Sequence, residues 1–339
     1  MERDMKRRII QYTTVVLAFL AGMIFMTYMT RMGNRDMTGD MAQAQLPVVH
    51  AEQDGVLYNE MHGYVEDMDG ASMRDSVIGV SEDHKVGLAL EKYNAQIKSV
   101  SYEVRSLDMS RLIEGGDDLQ AEDDGKYLHI SLTLKDLLTQ GEEYLLVLKV
   151  QTEDQDLVRF YSILTYLGTN HVQDCVDFAQ RFHEMTLTGD SDGVLNYLEQ
   201  DGSMDGKNLG YINIHSRSGP VTWGDMQVVE NGETSLRFTE LESDITALTM
   251  EYQVTNTETS EQYQVREAYR LRYTASRIYL LAYERWTDKI LEPGRQLVED
   301  GKLSFGIQSS EPIYMKNTEE NVVGFVQQGQ LWSYDYGQN

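Results

Sequence analysis

Residues 248–273 read LTMEYQVTNTETSEQYQVREAYRLRY. Leu248, Met250, Tyr252 and Val254 alternate with Thr249, Glu251 and Gln253, which is the period of a half-buried strand. In the next run Tyr263, Val265, Tyr269, Leu271 and Tyr273 fall on one side, and Arg266, Arg270 and Arg272 on the other. A short turn at Ala275-Ser276 leads into a third strand, Ile278 to Tyr283. Upstream the period changes. Val172, Cys175, Val176, Ala179, Phe182 and Met185 recur at helical spacing, with Thr169 or Asn170 as the cap and Gly189 as the stop. A shorter helix is expected from Ser191 to Glu199, with Val194, Leu195 and Leu198 turned inward. Two helices followed by an antiparallel meander predict an α+β domain over residues 169–300.

Working outward, residues 57–168 read mostly as strands. Val100, Tyr102 and Val104 alternate with polar neighbours, and so do Leu128, Ile130, Leu132 and Leu134. Tyr144 to Val150 is nearly all apolar, as in a strand covered on both faces. A turn is expected at 153–156, and the acidic stretch 114–125 reads as a loop. Short strands punctuated by turns predict a β-sandwich-like domain. In pattern, the helices and meander of 169–300 resemble the cone-shaped sheet of nuclear transport factor 2-like domains. Residues 301–339 hold short strands, with a hairpin turn at 327–330. The run Gly329 to Tyr334 is similar to the first strands of a propeller-type blade, which implies a truncated further domain in a longer protein. The expected fold class is therefore α+β, predominantly antiparallel β.

The N-terminus is of another kind. Residues 9–30 carry no charge, and at about 1.5 Å per residue they span about 33 Å, the thickness of a hydrocarbon core. Tyr12 and Tyr28 lie near the two ends. Lys6, Arg7 and Arg8 flank one side, whereas Arg31 and Arg35 on the other are offset by Asp36 and Asp40. The positive-inside rule puts residues 1–8 in the cytoplasm and everything after the span outside. A cleaved signal peptide has a shorter apolar core with a small-residue site close behind it, so an uncleaved single-pass anchor is the expectation. Residues 31–56 read as a polar linker.

The net charge is -26, which disfavours nucleic acid and anionic lipid surfaces as partners. Hydrophobic residues at 41% place the outer region among globular chains. With one cysteine, Cys175, no intramolecular disulfide forms. An exported chain this poor in cysteine fits a Gram-positive bacterial envelope better than a eukaryotic secretory route. On the apolar face of its helix, Cys175 reads as a small buried hydrophobe.

Two constellations carry candidate chemistry. Arg266, Arg270 and Arg272 share one strand face and form the candidate ligand-binding stripe for a phosphate, a carboxylate or an anionic wall polymer. The competing reading is cross-strand pairing with Glu251, Glu258 or Glu261 on a solvated face. The loop from Thr188 through Asp190, Asp192 and Gly193 to Glu199 has the spacing of part of a calcium-binding EF-hand loop. Thr188 stands where such loops need their first aspartate. The simpler reading is that Gly189 stops one helix and Asp190 or Ser191 caps the next. His183-Glu184 lacks the second histidine of the HExxH zinc motif. No nucleophile elbow, phosphate loop or dinucleotide fingerprint occurs, and no cofactor is expected.

Ser101 to Asp108 (SYEVRSLD), Leu112-Ile113-Glu114 and Tyr279 to Arg285 (YLLAYER) together resemble a family of single-pass membrane-anchored extracytoplasmic proteins of anaerobic gut clostridia. The resemblance covers most of the chain and implies members that continue past Asn339. It brings no activity and no site residue. The resulting expectation is a non-catalytic binding or accessory protein of the cell envelope, contacting another membrane protein or a cell-wall polymer. The alternative is an envelope glycan-modifying enzyme that works through paired carboxylates.

Overall fold

The computed structural model describes residues 19–23, 26 and 46–335, with 74–75, 94, 118, 136, 154–156, 170, 202–208, 292–297, 300–301 and 328–329 excepted. Most of the expected span at 9–30, and the linker up to residue 45, lie outside the described residues. Among the described residues no helix is long and apolar enough to cross a membrane. Gln43–Ile290 with Phe305–Glu311 form one compact unit, and a second unit takes in Leu291–Ser304 and Pro312–Asn339.

The larger unit begins with ten strands. They are Val48–Gln53 (β1), Val56–His62 (β2), Val77–Ser81 (β3), Lys85–Glu91 (β4), Ile97–Ser106 (β5), Leu112–Gly116 (β6), Gln120–Asp123 (β7), Tyr127–Thr133 (β8), Glu143–Thr152 (β9) and Leu157–Gly168 (β10). One sheet has the order β2-β1-β4-β8-β7 and the other β3-β10-β9-β5-β6. Every pairing in them is antiparallel except β3 with β10. Val49, Leu88 and Leu132 of the first sheet and Val104, Leu148 and Phe160 of the second belong to one hydrophobic core. As expected, β9 is covered along most of its length, with Tyr144 to Leu148 and Val150 all buried.

Two expectations need correction here. The linker was expected to run to residue 56, but β1 starts at Val48. Val49 and Ala51 are fully buried, and Asp54 and Gly55 take φ values of 50° and 83° between the paired residues Gln53 and Val56. Positive φ at both central residues is the signature of a two-residue hairpin turn, and Asp-Gly is a preferred pair for it. The acidic stretch 114–125 was read as a loop, yet it contains the end of β6 and all of β7. Both are edge strands; the carboxylates of Glu122 and Asp123 in β7 stay in water and discourage pairing with another chain, whereas Glu114 of β6 is buried and accepts from Lys135 N.

The chain then forms Val172–Leu187 (α1), Ser191–Leu195 (α2), Tyr211–Asn213 (β11), Ser218–Val221 (α3), Val228–Leu241 (β12), Ile245–Asn256 (β13), Gln262–Tyr273 (β14) and Ile278–Lys289 (β15). The third sheet is antiparallel in the order β11-β15-β14-β13-β12. Helix α1 starts after His171 with no side-chain cap. It stops as expected. Gly189 takes φ 77° and Asp190 N–H donates to the Met185 carbonyl, so the last turn closes on itself. Helix α2 ends four residues sooner than expected, because the Asn196 amide caps the carbonyls of Asp192 and Gly193. The core of the first two sheets continues without a break into α1 and the inner face of the third sheet, through Phe182, Phe238, Tyr269 and Tyr283. The buried Asn59 side chain joins the halves. Its amide donates to Val77 O at 2.6 Å, and its oxygen accepts from Phe238 N at 2.6 Å.

In the second unit, Val298–Glu299 (β16) pairs with Lys302–Leu303 (β17). Tyr314–Lys316 (β18), Val322–Gln327 (β19) and Gln330–Asp335 (β20) form a three-stranded meander in which Gln327 faces Gln330 across the expected hairpin. The whole described fold is thus mostly antiparallel β with few helices.

Candidate functional site

Strand parity decides which side chains enter the third sheet's inner face. In β14 the alternation that buries Tyr263, Val265, Tyr269 and Leu271 also buries Glu267, which is fully enclosed. In β15 the same parity buries Arg285 between Tyr283 and Thr287, again with no exposure. Glu267 and Arg285 face each other in the register of the two strands, as do Tyr269 and Tyr283. From above, His183 follows Ala179 by one helical turn and so lies on the buried stripe of α1.

These groups form one polar layer. The Glu267 carboxylate accepts from Tyr283 OH on one oxygen at 2.7 Å, and from Tyr269 OH and His183 Nδ1 on the other at 2.7 and 3.0 Å. His183 Nε2 lies 3.5 Å from Glu230 of β12, within ion-pair range. The Tyr252 ring meets the imidazole edge-on, with centroids 4.5 Å apart. Arg285 donates from Nη1 to Val221 O at 2.7 Å and from Nη2 to Pro220 O at 2.9 Å, while its guanidinium lies 4.0 Å above the Trp223 ring. His183 Nε2, Tyr252 OH, Trp223 Nε1, Arg285 Nε and Thr287 Oγ1 have no protein hydrogen-bond partner, so the His183–Glu230 contact is an ion pair by distance alone. The layer borders a smaller apolar cluster of Trp223, Tyr252, Val254, Tyr263 and Val265, against which Ile307 packs.

Burial by itself raises a carboxylate pKa and lowers an imidazole pKa. Here the His183 hydrogen bond and charge, with Arg285 nearby, overcome burial and hold Glu267 below its ordinary value. The same contact, with the charges of Glu267 and Glu230, overcomes burial at His183 and lifts it above 6.5. Burial and the Glu267 charge push Tyr252, Tyr269 and Tyr283 far above the usual phenol range. The two shifts run in opposite senses and both favour the charged imidazolium–carboxylate pair, while the three phenols are held neutral.

The arginine stripe lies on the opposite face. Arg266, Arg270 and Arg272 are exposed, as their parity required, but each engages a different neighbour. Arg266 lies 4.2 Å above the Trp286 ring and faces Glu251 in register. Arg270 makes a two-pronged pair with Glu240, Nε and Nη2 each at 2.9 Å. That carboxylate comes from β12 and is none of the three partners expected from the sequence. Arg272 faces Tyr279 in register. Glu261 instead pairs with Lys289 and accepts from Tyr263 OH.

In the loop read against the EF-hand spacing, Asp190 caps α2 by accepting from Gly193 N at 2.9 Å. Thr188 Oγ1 donates to Glu184 O at 2.8 Å, and Glu199 N–H donates to Ile214 O. Among the described residues no group of three or more His, Cys, Asp or Glu side chains is gathered as a metal-ligand set. An open groove of about 360 Å³ crosses this region, floored by Phe178, Met185 and Tyr197. Cys175 is fully buried, and burial raises its thiol pKa.

No protein-family model and no curated protein matches this chain. Among solved structures it is similar to CopC from Methylosinus trichosporium OB3b, with 15% identity over 31% of this chain and 95% of that one. The TM-score is 0.20, too low to bear on fold or function.

Sequence reading passed over the polar layer. Its signal is a charged or ionisable residue in the apolar phase of three elements at once: His183 beside Phe182 in α1, Glu267 between Val265 and Tyr269, and Arg285 between Tyr283 and Thr287.

Proposed function

We propose that this chain is a non-catalytic binding or accessory protein of a Gram-positive bacterial envelope. An N-terminal span over residues 9–30 holds it to the membrane, and its sandwich-like and cone-like halves contact another membrane protein or a wall polymer outside. Glu267 carries the reading. A carboxylate with a histidine and two tyrosines around it is the grouping that serves acid–base chemistry in an open cleft. Here it is fully enclosed, and its two oxygens already accept three hydrogen bonds. The ionisable side chains of this layer are committed to joining α1 and α3 to the sheet, which leaves recognition to the outer surfaces. The uncharged run at 9–30 behind Lys6, Arg7 and Arg8 supports the anchored topology.

In vivo cross-linking of the full chain in its native membrane, with mass spectrometry of the captured species, tests the proposal. A reproducible membrane-protein or wall-polymer partner that is weakened by reversing the charge of Arg266 and Arg272 supports it. Turnover of a wall glycan by the purified chain, abolished by replacing one exposed carboxylate, overturns it in favour of the glycan-modifying enzyme.

A further inference from the structure

His183 reaches two carboxylates on two different strands, and an imidazole can donate from both nitrogens only when it carries the extra proton. Nδ1 is hydrogen-bonded to Glu267 of β14 at 3.0 Å, whereas Nε2 makes no hydrogen bond and lies at ion-pair distance, 3.5 Å, from Glu230 of β12, a contact that needs the ring's positive charge. The other groups facing this centre are Tyr252 from β13, Tyr269 from β14, and Tyr283 and Arg285 from β15. Arg285 is committed to the Val221 and Pro220 carbonyls, so it does not replace the histidine between the two carboxylates. When the ring loses a proton, one nitrogen turns a lone pair toward a carboxylate, and one of the two ties must go.

The two ties are unequal. Glu267 is fully enclosed and cannot be rehydrated in place, whereas the Glu230 side chain is 30% exposed. The neutral ring therefore keeps Glu267 and gives up Glu230. Glu230 stands at an irregular point of β12. The register with β13 slips between Asn231 and Ser235, and Gly232 takes φ 78°. Thr234 Oγ1 donates back to the Glu230 carboxylate across the bulge. This half of β12 lies at the sheet edge, with Val229 55% exposed.

We propose that His183 is a proton-operated latch. Charged, it clamps the bulged half of edge strand β12 under α1; neutral, it releases that half while α1 stays bound through Glu267. Release loosens the Val228–Asn231 half of β12 from the sheet edge, so the order of this strand becomes dependent on pH. The inference concerns the motion of this strand and stands apart from whether the chain is catalytic.

The test is hydrogen–deuterium exchange with peptide readout on the full chain in a mild detergent, from pH 5.5 to 9 and corrected for the intrinsic pH dependence of exchange. Protection of peptides within 228–236 should fall at least tenfold as pH rises, while peptides in β9 and β13 keep theirs. His183→Gln should show the low-protection state at every pH. Glu230→Gln should also lose the pH dependence, and it keeps the latch testable should His183→Gln fail to fold, because Glu230 lies at the rim. Uniform change across the chain, no change at 228–236, or a wild-type profile in Glu230→Gln would each overturn the latch.

Discussion

Glu267 and Arg285 stand opposite one another on adjacent strands, both fully buried, yet neither is the other's hydrogen-bond partner. Glu267 is satisfied by His183 and two tyrosines, and Arg285 by two carbonyls at the end of α3 and by the Trp223 face. Each charge fixes a separate element to the sheet, and the long-range attraction between them lowers the penalty of burying both. Such an arrangement is expensive to break from one side, because the remaining charge is left in a medium that cannot solvate it.

Glu267→Gln should therefore be among the most damaging substitutions in the unit. It leaves His183 and Arg285 without their carboxylate while keeping shape and volume, and a loss of about 3–5 kcal/mol is expected. Urea unfolding followed by far-ultraviolet circular dichroism reads it as a lower midpoint at unchanged slope. A midpoint within error of wild type would show that the layer is far better hydrated than its burial indicates.

Stability should peak in weakly acid solution. His183 is raised in the folded state, so its contribution is complete below the ordinary 6.5 and fades as pH climbs through the higher folded value. Glu267 is lowered, so its contribution is complete above the ordinary 4.5 and fades as pH falls through the lower folded value. Unfolding free energy measured from pH 3 to 9 should form a plateau between those limits, with a fall on each side. In His183→Gln the alkaline fall should flatten. The acid fall remains, because Glu267 and surface carboxylates such as Glu103 are also lowered.

How much of this was legible beforehand depended on what each pattern reports. Alternation in 248–273 reports which side of a strand is buried, and it placed Arg266, Arg270 and Arg272 outside correctly. It does not report which outward neighbour an arginine meets. Glu240 reaches Arg270 across Ala247, the small residue of β13 that stands in register between them, a relation no local spacing carries. Glu267 sat in the buried phase in plain view, but a charged residue there reads as noise until His183, eighty-four positions earlier, is known to lie above it. The β1 strand was missed for a different reason. VVHAEQ alternates weakly, and the Asp54-Gly55 turn that defines it was absorbed into a polar stretch.

Arg285→Lys should behave as a loss despite keeping the charge. A lysine ammonium cannot reach the Val221 and Pro220 carbonyls in a planar fork while stacking on Trp223. Losing one charge-assisted hydrogen bond costs about 1.5–3 kcal/mol. The same exchange at Arg270, on the exposed face, should leave the unfolding midpoint within scatter of wild type. Equal effects at the two sites would show that Arg285 acts through charge alone.

Two glycines separate backbone conformation from space. Gly55 has φ 83° with nothing near the position of a side chain, so Gly55→Ala should cost about 1 kcal/mol through dihedral strain alone. At Gly87 the dihedral is ordinary, but a Cβ would stand 2.4 Å from the Glu52 carbonyl oxygen on the paired strand. Neither backbone can move without disturbing β1 or β8 on either side of β4. Gly87→Ala should therefore lower the thermal midpoint more than Gly55→Ala, and the order of the two midpoints is the measurement. The reverse order would mean that β1 yields at its register shift near Val49, and that the hairpin turn contributes more to the first sheet than the β1–β4 pairing.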